Sequence, residues 1–171
     1  MRRPYTIFLP LLSLFLVRVD LTDLCALRYP VEIVKLYDGD TLLLQLGPTQ
    51  VRLRLSKIDS PEKGQPFSGQ TEDAGLASKR CLEQQLKQIK QPVLIWEKRD
   101  IYGRVLGDIE GLSFRLVSHG CTGLYPYAQF SSKEEKYRYL KALQIARRNK
   151  LGVWSKGGYL TPALWRKRKR S

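Results

Sequence analysis

The chain between residues 31 and 58 carries the alternation of apolar and polar residues that is typical of β-strands. Three such runs are separated by turn-forming residues, and they cover residues 31–37, 41–46 and 51–56. The first turn contains Asp38-Gly39, a dipeptide that strongly favours hairpins. Pro61 ends the third run, because proline cannot continue a strand ladder. The pattern therefore predicts a three-stranded meander.

The rest of the chain alternates between helical and strand patterns. Apolar residues spaced by three, four and seven predict a helix that begins near Ser68 and ends at Gln91-Pro92. Two further strands and two further helices follow, over residues 93–96, 105–109, 113–118 and 131–149. Five short strands with a helix between the third and the fourth predict an α+β fold, a five-stranded OB-fold β-barrel with about three α-helices. An open α+β sheet packed against bundled helices is the alternative.

The composition adds a large excess of positive charge to this pattern. The 171 residues include 30 Lys and Arg against 16 Asp and Glu, which gives a net charge of +14. The hydrophobic share of 43% is that of a globular protein and excludes a disordered chain or a polytopic membrane protein. Since so many like charges repel one another in a folded chain, the excess indicates a polyanionic partner: nucleic acid first, an anionic membrane surface second.

The N-terminal residues 1–26 have the pattern of a signal peptide or an N-terminal membrane anchor. Two arginines precede an apolar run over residues 7–17, which fits a signal peptide but is short for a membrane span. We therefore expect a protein that is secreted, or anchored through residues 5–17 on the outer side of a membrane. A cytoplasmic protein is the alternative, if the apolar segment is not a signal.

The C-terminal residues 156–171 form a basic tail. Five consecutive cations occupy residues 166–170. Such a block is normally solvated and disordered, and it binds phosphates without reading their sequence. We expect the tail to add non-specific affinity for nucleic acid and to contribute nothing to a chemical step.

The cysteines give no metal-binding pattern. Cys25, Cys81 and Cys121 form no CxxC motif, and His119 is the single histidine, which argues against a tetrahedral zinc site. For Cys81 and Cys121 the sequence favours two buried thiols. A disulfide between them would require a fold that brings the two residues together.

Polar residues cluster at three predicted strand ends. The clusters are Asp38-Gly39-Asp40-Thr41, Arg54 with Asp59-Ser60-Pro61-Glu62, and Asp100-Ile101-Tyr102-Gly103-Arg104. Taken singly, each is explained by a turn, a cap or a solvated strand face. Taken together, two aspartates at neighbouring strand ends can converge on a hard cation. A glutamate can position or deprotonate a water, and two arginines can bind phosphate oxygens. This set is sufficient for phosphodiester hydrolysis.

The three clusters resemble the signature blocks of the staphylococcal nuclease (thermonuclease) family, in the same order and at similar separations. Residues 146–155 are similar to the end of the family's C-terminal helix and its tryptophan. The likeness covers about residues 31–155. It implies an OB-fold domain over residues 27–155 that hydrolyses DNA and RNA with a calcium ion.

The resemblance also implies which residues bind the metal ion and which residue acts on the attacking water. Asp40 and Asp59 would be the carboxylate ligands of the calcium ion, and Ser60 would supply its backbone carbonyl. Glu62 would be the general base or the group that orients the attacking water.

The same resemblance implies the substrate contacts. Arg54 and Arg104 would bind the scissile phosphate. Tyr125 and Tyr127 lie near positions where the family places tyrosines beside the bound nucleotide, although aromatic residues at a barrel edge would look the same. We expect a monomer acting on nucleic acid. A nucleic-acid-binding OB module without catalysis and a membrane-surface protein are the alternatives.

Overall fold

The computed structural model describes residues 27–170 of the chain. The predicted leader, residues 1–26 with the candidate anchor 5–17, lies outside the described residues, and so does Cys25. Both interpretations of this segment therefore stay predictions, as do the domain boundaries. Among residues 27–170, no helix is long and apolar enough to cross a membrane.

Six strands form one sheet. In sheet order they are β1 (Leu27–Pro30), β6 (Val93–Arg99), β7 (Val105–Ile109), β4 (Thr49–Leu55), β3 (Thr41–Leu46) and β2 (Glu32–Leu36). All neighbours are antiparallel except β4 and β7, which run parallel. The predicted meander is present as β2, β3 and β4. The Asp38-Gly39 turn joins its first two strands, as the hairpin signal indicated.

The sheet has an additional edge strand that the sequence pattern did not predict. β1 is separated from β2 by Val31 alone, so one extended run pairs first with β6 and then with β3. This run supplies both edges of the sheet, and the ladders do not close into a ring. Pro30 obscured β1 in the pattern, but an edge strand tolerates proline because one side of the strand needs no ladder donor. The architecture is the predicted α+β fold of the OB type.

Two very short strands make a second, two-stranded sheet. β5 (Ile58–Asp59) pairs with β8 (Gly123–Leu124) in antiparallel register, so that Asp59 lies opposite Gly123. Strands of two residues are too short to produce a sequence pattern. This pairing matters for the site, because it fixes the segment after β4 against the chain that leads to Tyr125.

Three helices pack against the sheet, and a fourth lies near the C-terminal end of the described residues. They are α1 (Ala74–Leu86), α2 (Leu112–Ser118), α3 (Lys133–Arg148) and α4 (Pro162–Arg170). The first three were predicted, but α1 begins six residues later than Ser68. Its N-cap is Asp73, whose carboxylate accepts a hydrogen bond from the Leu76 N–H at 3.1 Å. Ser132 caps α3 in the same way.

The fourth helix corrects the prediction of a disordered basic block. α4 begins with Pro162, a residue that suits the first helical position, and the Thr161 carbonyl accepts from the Trp165 N–H at 3.0 Å. Lysine and arginine are good helix formers, so their repulsion is the main obstacle to a helix here. Contacts of Arg166 with carboxylates of the domain offset part of that repulsion.

The hydrophobic core lies between the sheet and helices α1, α2 and α3. Its fully buried side chains come from β3, β4, β6 and β7 and from helices α1 and α2, and include Leu42, Leu44, Leu53, Leu55, Leu82, Leu94, Val105, Ile109, Leu112 and Leu116. These apolar positions alternate along β3 and β4, as the sequence pattern indicated. Burial on this scale holds the strand ends that carry polar residues in fixed positions.

A disulfide joins Cys81 on α1 to Cys121 in the loop after α2. The interpretation as two buried thiols is therefore wrong. Packing of α1 beside α2 brings the two Cα atoms to 5.4 Å, a separation that suits a disulfide. The pairing depends on this contact between helices, which spacing along the chain does not reveal.

Candidate active site

The site lies at one end of the sheet, where β3 begins and β4 ends. Asp40 directly precedes β3, and its neighbour Thr41 is paired with Arg54 of β4. The Leu55 N–H donates to the carbonyl oxygen of Asp40 at 2.9 Å, which fixes the two strand ends together. β5 then places Asp59 beside them. The local register of two hairpin strands therefore brings the first two polar clusters into contact.

All three predicted clusters line one cleft of about 540 Å³. Every residue that the resemblance assigned to the site is at its wall, namely Asp40, Arg54, Asp59, Ser60, Glu62, Arg104, Tyr125 and Tyr127. The structure thus brings all of these residues together. Their individual roles stay predictions.

Asp40 is a buried carboxylate held by several donors. Ser60 donates to Asp40 Oδ2 through its backbone N–H at 2.8 Å and its Oγ at 2.7 Å, and Thr41 Oγ1 donates to Oδ1 at 3.1 Å. Burial raises the pKa of Asp40, while the charge of Arg54 opposes that rise. Burial therefore disfavours the charged form of Asp40, and the donors around it compensate for part of that cost.

Arg54 bridges the two aspartates. Its Nη1 lies 2.9 Å from Asp40 Oδ2, and its Nη2 lies 2.9 Å from Asp59 Oδ1. The same guanidinium donates to the carbonyl of Ile58 at 3.0 Å. Burial raises the pKa of Asp59 as well, and Arg54 again opposes the rise. One positive charge thus faces two buried carboxylates.

Glu62 lies at the mouth of the cleft on a loop that packs against α1. Its backbone N–H donates to the side-chain oxygen of Gln65 at 2.9 Å, and Gln65 is itself fully buried. A Cβ at Gly75 would lie 2.2 Å from the Glu62 carbonyl oxygen, so only glycine allows this approach. The Glu62 side chain is 40% exposed and can meet solvent.

Arg166 of α4 also reaches the cleft, which the sequence did not predict. Its guanidinium forms an ion pair with Glu62 and lies 3.9 Å from Asp59 Oδ2. No sequence signal distinguished it, because it is one of five consecutive cations. The basic tail therefore contacts the site at this residue, and that the tail contributes nothing to the chemical step stays a prediction.

Arg104 is oriented by Asp100 within the third cluster. Its Nε donates to Asp100 Oδ2 at 2.8 Å, and its backbone N–H donates to Oδ1 at 2.9 Å. Burial alone would raise the pKa of Asp100, but the hydrogen bonds and charge of Arg104 outweigh burial and hold that pKa below its usual range. The Arg104 guanidinium also lies 5.6 Å from the centre of the Tyr102 ring. The turn thus presents a positioned guanidinium to the cleft.

Two tyrosines form an aromatic rim. The rings of Tyr125 and Tyr127 meet edge to face, with centroids 5.7 Å apart, and Tyr127 is 76% exposed. The Tyr125 N–H donates to the Lys57 carbonyl at 3.0 Å, next to the β5–β8 pairing. The rim is therefore attached to the same framework as Asp59.

The donor set at the bottom of the cleft fits a hard cation. Asp40 and Asp59 offer carboxylate oxygens and Ser60 a backbone carbonyl, and hard cations prefer such oxygen ligands. Within residues 27–170, no three His, Cys, Asp or Glu side chains are grouped as a complete metal site. When ionised, Asp40, Asp59 and Glu62 together outnumber the adjacent guanidiniums of Arg54 and Arg166 by one charge, which a cation would offset.

Comparisons with known proteins agree with this geometry. Residues 52–156 match the family model described as staphylococcal nuclease homologue. The chain is 30% identical over 150 residues to a micrococcal nuclease of Shigella flexneri, covering 80% of this chain and 79% of that protein. It is 29% identical over 165 residues to an uncharacterized endonuclease of Haemophilus influenzae, covering 94% and 85%. An uncharacterized endonuclease of Escherichia coli is 30% identical over 142 residues, covering 81% and 85%. The chain therefore belongs to the staphylococcal nuclease family and is an endonuclease, a hydrolase of phosphodiester bonds.

Proposed function

We propose that the protein is a calcium-dependent, sugar-nonspecific nuclease that cleaves DNA and RNA in the cleft described above. The observation that carries the proposal is the convergence of two buried aspartates, a solvent-accessible glutamate and two arginines on one cavity. A module that only binds nucleic acid needs the arginines, but convergent carboxylates would repel its phosphates. Hydrolysis accounts for both kinds of residue.

Asp40, Asp59 and Ser60 are the groups that would hold the ion. Their oxygens suit calcium, and among residues 27–170 no histidine or cysteine lines this cleft. The bound ion supplies positive charge, which offsets negative charge on the phosphodiester during the reaction. The hydrogen bonds from Ser60 keep the Asp40 carboxylate in one orientation for this task.

Glu62 is the group that would act on the attacking water. Its carboxylate lies at the mouth of the same cleft, where it can accept a proton or a hydrogen bond from a water. The loop that carries it is fixed by Gln65 and by the close approach to Gly75. These contacts hold the Glu62 backbone in place at the wall of the cleft.

Arg54 and Arg104 would bind the scissile phosphate and balance charge that grows on its oxygens. Both guanidiniums are held by carboxylates, Arg54 by the two aspartates and Arg104 by Asp100. Preorganised cations of this kind stabilise a transition state more than a ground state, because they need no reorganisation.

The aromatic rim supports a substrate with unpaired bases. Tyr125 and Tyr127 expose ring surface beside the cleft, and bases of any sequence stack on such rings. We propose that single-stranded DNA and RNA are bound here through backbone contacts and stacking. No residue in this scheme has to recognise the sugar, which is the basis for including both nucleic acids.

Export is part of the proposal. The Cys81–Cys121 disulfide supports an oxidising compartment, because stable disulfides are rare in the cytosol. The apolar residues 7–17 support a signal peptide or an anchor through residues 5–17. We propose that the nuclease acts outside the cytoplasm as a monomer, since one chain supplies every assigned residue.

Cleavage of single-stranded DNA and of RNA, with and without calcium, tests the proposal. We expect chelation to abolish cleavage of both substrates and added calcium to restore it, because two carboxylates alone leave the phosphate unneutralised. The uncleaved substrate in the chelated sample serves as the control for contaminating metal-independent nucleases. Full activity in excess chelator would overturn the metal assignment.

A further inference from the structure

The basic tail reaches the proposed active site at the first residue of its cation block, Arg166. Arg166 lines the cleft, forms an ion pair with Glu62 and lies 3.9 Å from the inner carboxylate oxygen Oδ2 of Asp59. These two residues belong to the set assigned to catalysis. A cation in this place affects either substrate binding or the availability of Glu62.

The segment before α4 holds the helix in this position. Gln65 Nε2 donates to the Leu160 carbonyl at 2.6 Å, and the Ser68 N–H donates to the Gly158 carbonyl at 2.9 Å. The Tyr159 ring stacks on Trp154 with centroids 5.1 Å apart. The loop that carries Glu62 and the chain that leads to Arg166 are therefore fixed to one another.

Arg166 differs from the other two arginines of the cleft in its surroundings. The side chains of Arg54 and Arg104 are 15% and 29% exposed, and their carboxylate partners are mostly buried. Arg166 is 43% exposed, and its partner Glu62 is 40% exposed. An exposed ion pair contributes little free energy, so either partner can leave it at small cost.

A phosphodiester is a better partner for this guanidinium than the exposed Glu62 carboxylate, and Asp59 Oδ2, at 3.9 Å, is too distant for a hydrogen bond. Arginine binds phosphate through two parallel hydrogen bonds, and a nucleic acid presents phosphates in series. A strand that enters the cleft meets Arg166 at the same wall as Glu62. Loss of the ion pair would at the same time leave the Glu62 carboxylate free to contact water.

We propose that Arg166 is a third phosphate-binding residue of the site, whose guanidinium passes from Glu62 to a backbone phosphate when the substrate binds. The inference rests on the proposed nuclease function and extends its substrate contacts to α4. Arg166 positions the strand and releases Glu62, and it takes no part in bond breaking. The opposite role, a plug that blocks the cleft, is an outcome of the test below.

Steady-state cleavage of single-stranded DNA by Arg166→Ala and Arg166→Lys tests the proposal, with Arg80→Ala as the matched control. Arg80 is an exposed arginine of α1 that does not line the cleft. We expect Arg166→Ala to raise KM about tenfold, the loss of one charged hydrogen-bonding contact, with kcat changed less than about threefold. The KM of Arg166→Lys should lie between those of wild type and Arg166→Ala, and Arg80→Ala should raise KM less than about threefold. Equal effects of Arg166→Ala and Arg80→Ala, or a rise in kcat for Arg166→Ala, would overturn the proposal; the second result would identify a plug.

A binding measurement separates this proposal from the nuclease function itself. In a Glu62→Gln background, where cleavage is slow, the Kd of a fluorescent thymidine oligonucleotide can be compared with and without Arg166→Ala. We expect the added substitution to weaken binding about tenfold, whereas added Arg80→Ala should weaken it less than about threefold. An unchanged Kd would contradict the role of Arg166 even in an active nuclease. A wild-type protein that binds the oligonucleotide through Arg166 but cleaves nothing would instead contradict the nuclease function.

Discussion

Asp108 is the residue outside the cleft whose charge state matters most for stability. It is buried on β7, and its Oδ1 accepts from the Ser113 N–H at 3.1 Å and from Ser113 Oγ at 2.8 Å. Burial raises the pKa of Asp108 to about 7, although the hydrogen bonds from Ser113 oppose the rise. The folded protein therefore prefers the protonated carboxyl.

Asp108→Asn is expected to change how stability depends on pH. The folded pKa lies above the ordinary value of 3.8, so the stability from protonated Asp108 is complete below about pH 4 and is lost as the pH rises to about 7. Asparagine keeps the acceptor for Ser113 and cannot ionise. Relative to wild type, the variant should gain up to about 4 kcal/mol of unfolding free energy between pH 4 and pH 8, at 1.36 kcal/mol per pKa unit.

Urea unfolding at pH 4 and pH 8 measures this gain. Glu83→Gln, which removes an exposed carboxylate from α1, is the control and should leave the pH dependence as it is in wild type. The prediction fails if the free energies of unfolding of wild type and Asp108→Asn change by the same amount between pH 4 and pH 8. Asp108 would then ionise in the folded protein without a loss of stability.

The individual residues of the site differ in how far their positions could be predicted from the sequence. The turn at Gly47-Pro48 joins β3 to β4 and pairs Thr41 with Arg54, which places Arg54 beside Asp40. The sequence predicted these strands and this turn, and from them only that the polar strand ends can converge. Arg166 could not be predicted in this way. Its place depends on the packing of the chain at Gly158 and Leu160 against the Glu62 loop, which is a contact between distant segments.

At the scale of elements, the disulfide between α1 and the loop after α2 is the main covalent constraint in residues 27–170. It closes a loop with a sequence separation of 40 residues. In the chain-entropy model, a loop of this length stabilises the folded state by about 4 kcal/mol. Replacing Cys81 and Cys121 together by alanine should therefore lower the free energy of unfolding by about that amount.

Thermal unfolding of three proteins checks the disulfide prediction. We expect the double alanine variant to melt at least about 8 °C below wild type, at about 2–4 °C per kcal/mol. Gln84→Ala, which changes an exposed residue of α1 and leaves the pair intact, should melt close to wild type, and a reducing agent should lower Tm only where the disulfide is present. A double variant as stable as wild type would mean that the helices hold together without the covalent bond.

The elements differ in how far they could be predicted. β2, β3, β4 and the first three helices follow from apolar periodicity, because each has one face in the core. β1 was hidden by Pro30, and β5 and β8 are too short to show a period. α4 was missed for a different reason, since a run of cations indicates disorder until carboxylates of the fold are seen to pair with it.

At the scale of the whole molecule, the net charge of +14 is distributed so that one basic helix adjoins an acidic cleft. Arg168 and Lys169 lie on α4 beyond the residue that contacts Glu62. Cations near a single strand bind its phosphates by releasing counterions, with a salt slope of about 0.7 per phosphate neutralised. These two residues should therefore raise affinity at low salt without acting on the chemical step.

Arg168→Gln combined with Lys169→Gln is expected to flatten the dependence of log KM on log salt by up to about 1.4, two contacts at about 0.7 each. kcat should stay close to wild type. The charge-conserving variant, Arg168→Lys with Lys169→Arg, should keep the wild-type slope. The measurement is cleavage of single-stranded DNA across a salt series, and an unchanged slope in the neutral variant would show that α4 does not extend the substrate-binding surface past Arg166.

The central claim is that the convergent carboxylates and arginines perform the hydrolysis, and Glu62→Gln tests it most directly. Glutamine keeps the size of the side chain and removes its basicity, while Glu97 lines the same cleft and serves as the matched control through Glu97→Gln. With calcium present, we predict that Glu62→Gln slows single-turnover cleavage of single-stranded DNA by roughly 10²–10⁴-fold, as expected for loss of acid–base catalysis. Oligonucleotide binding should persist, and Glu97→Gln should cleave within a few-fold of wild type. Wild-type cleavage by Glu62→Gln would contradict the assignment of the active site.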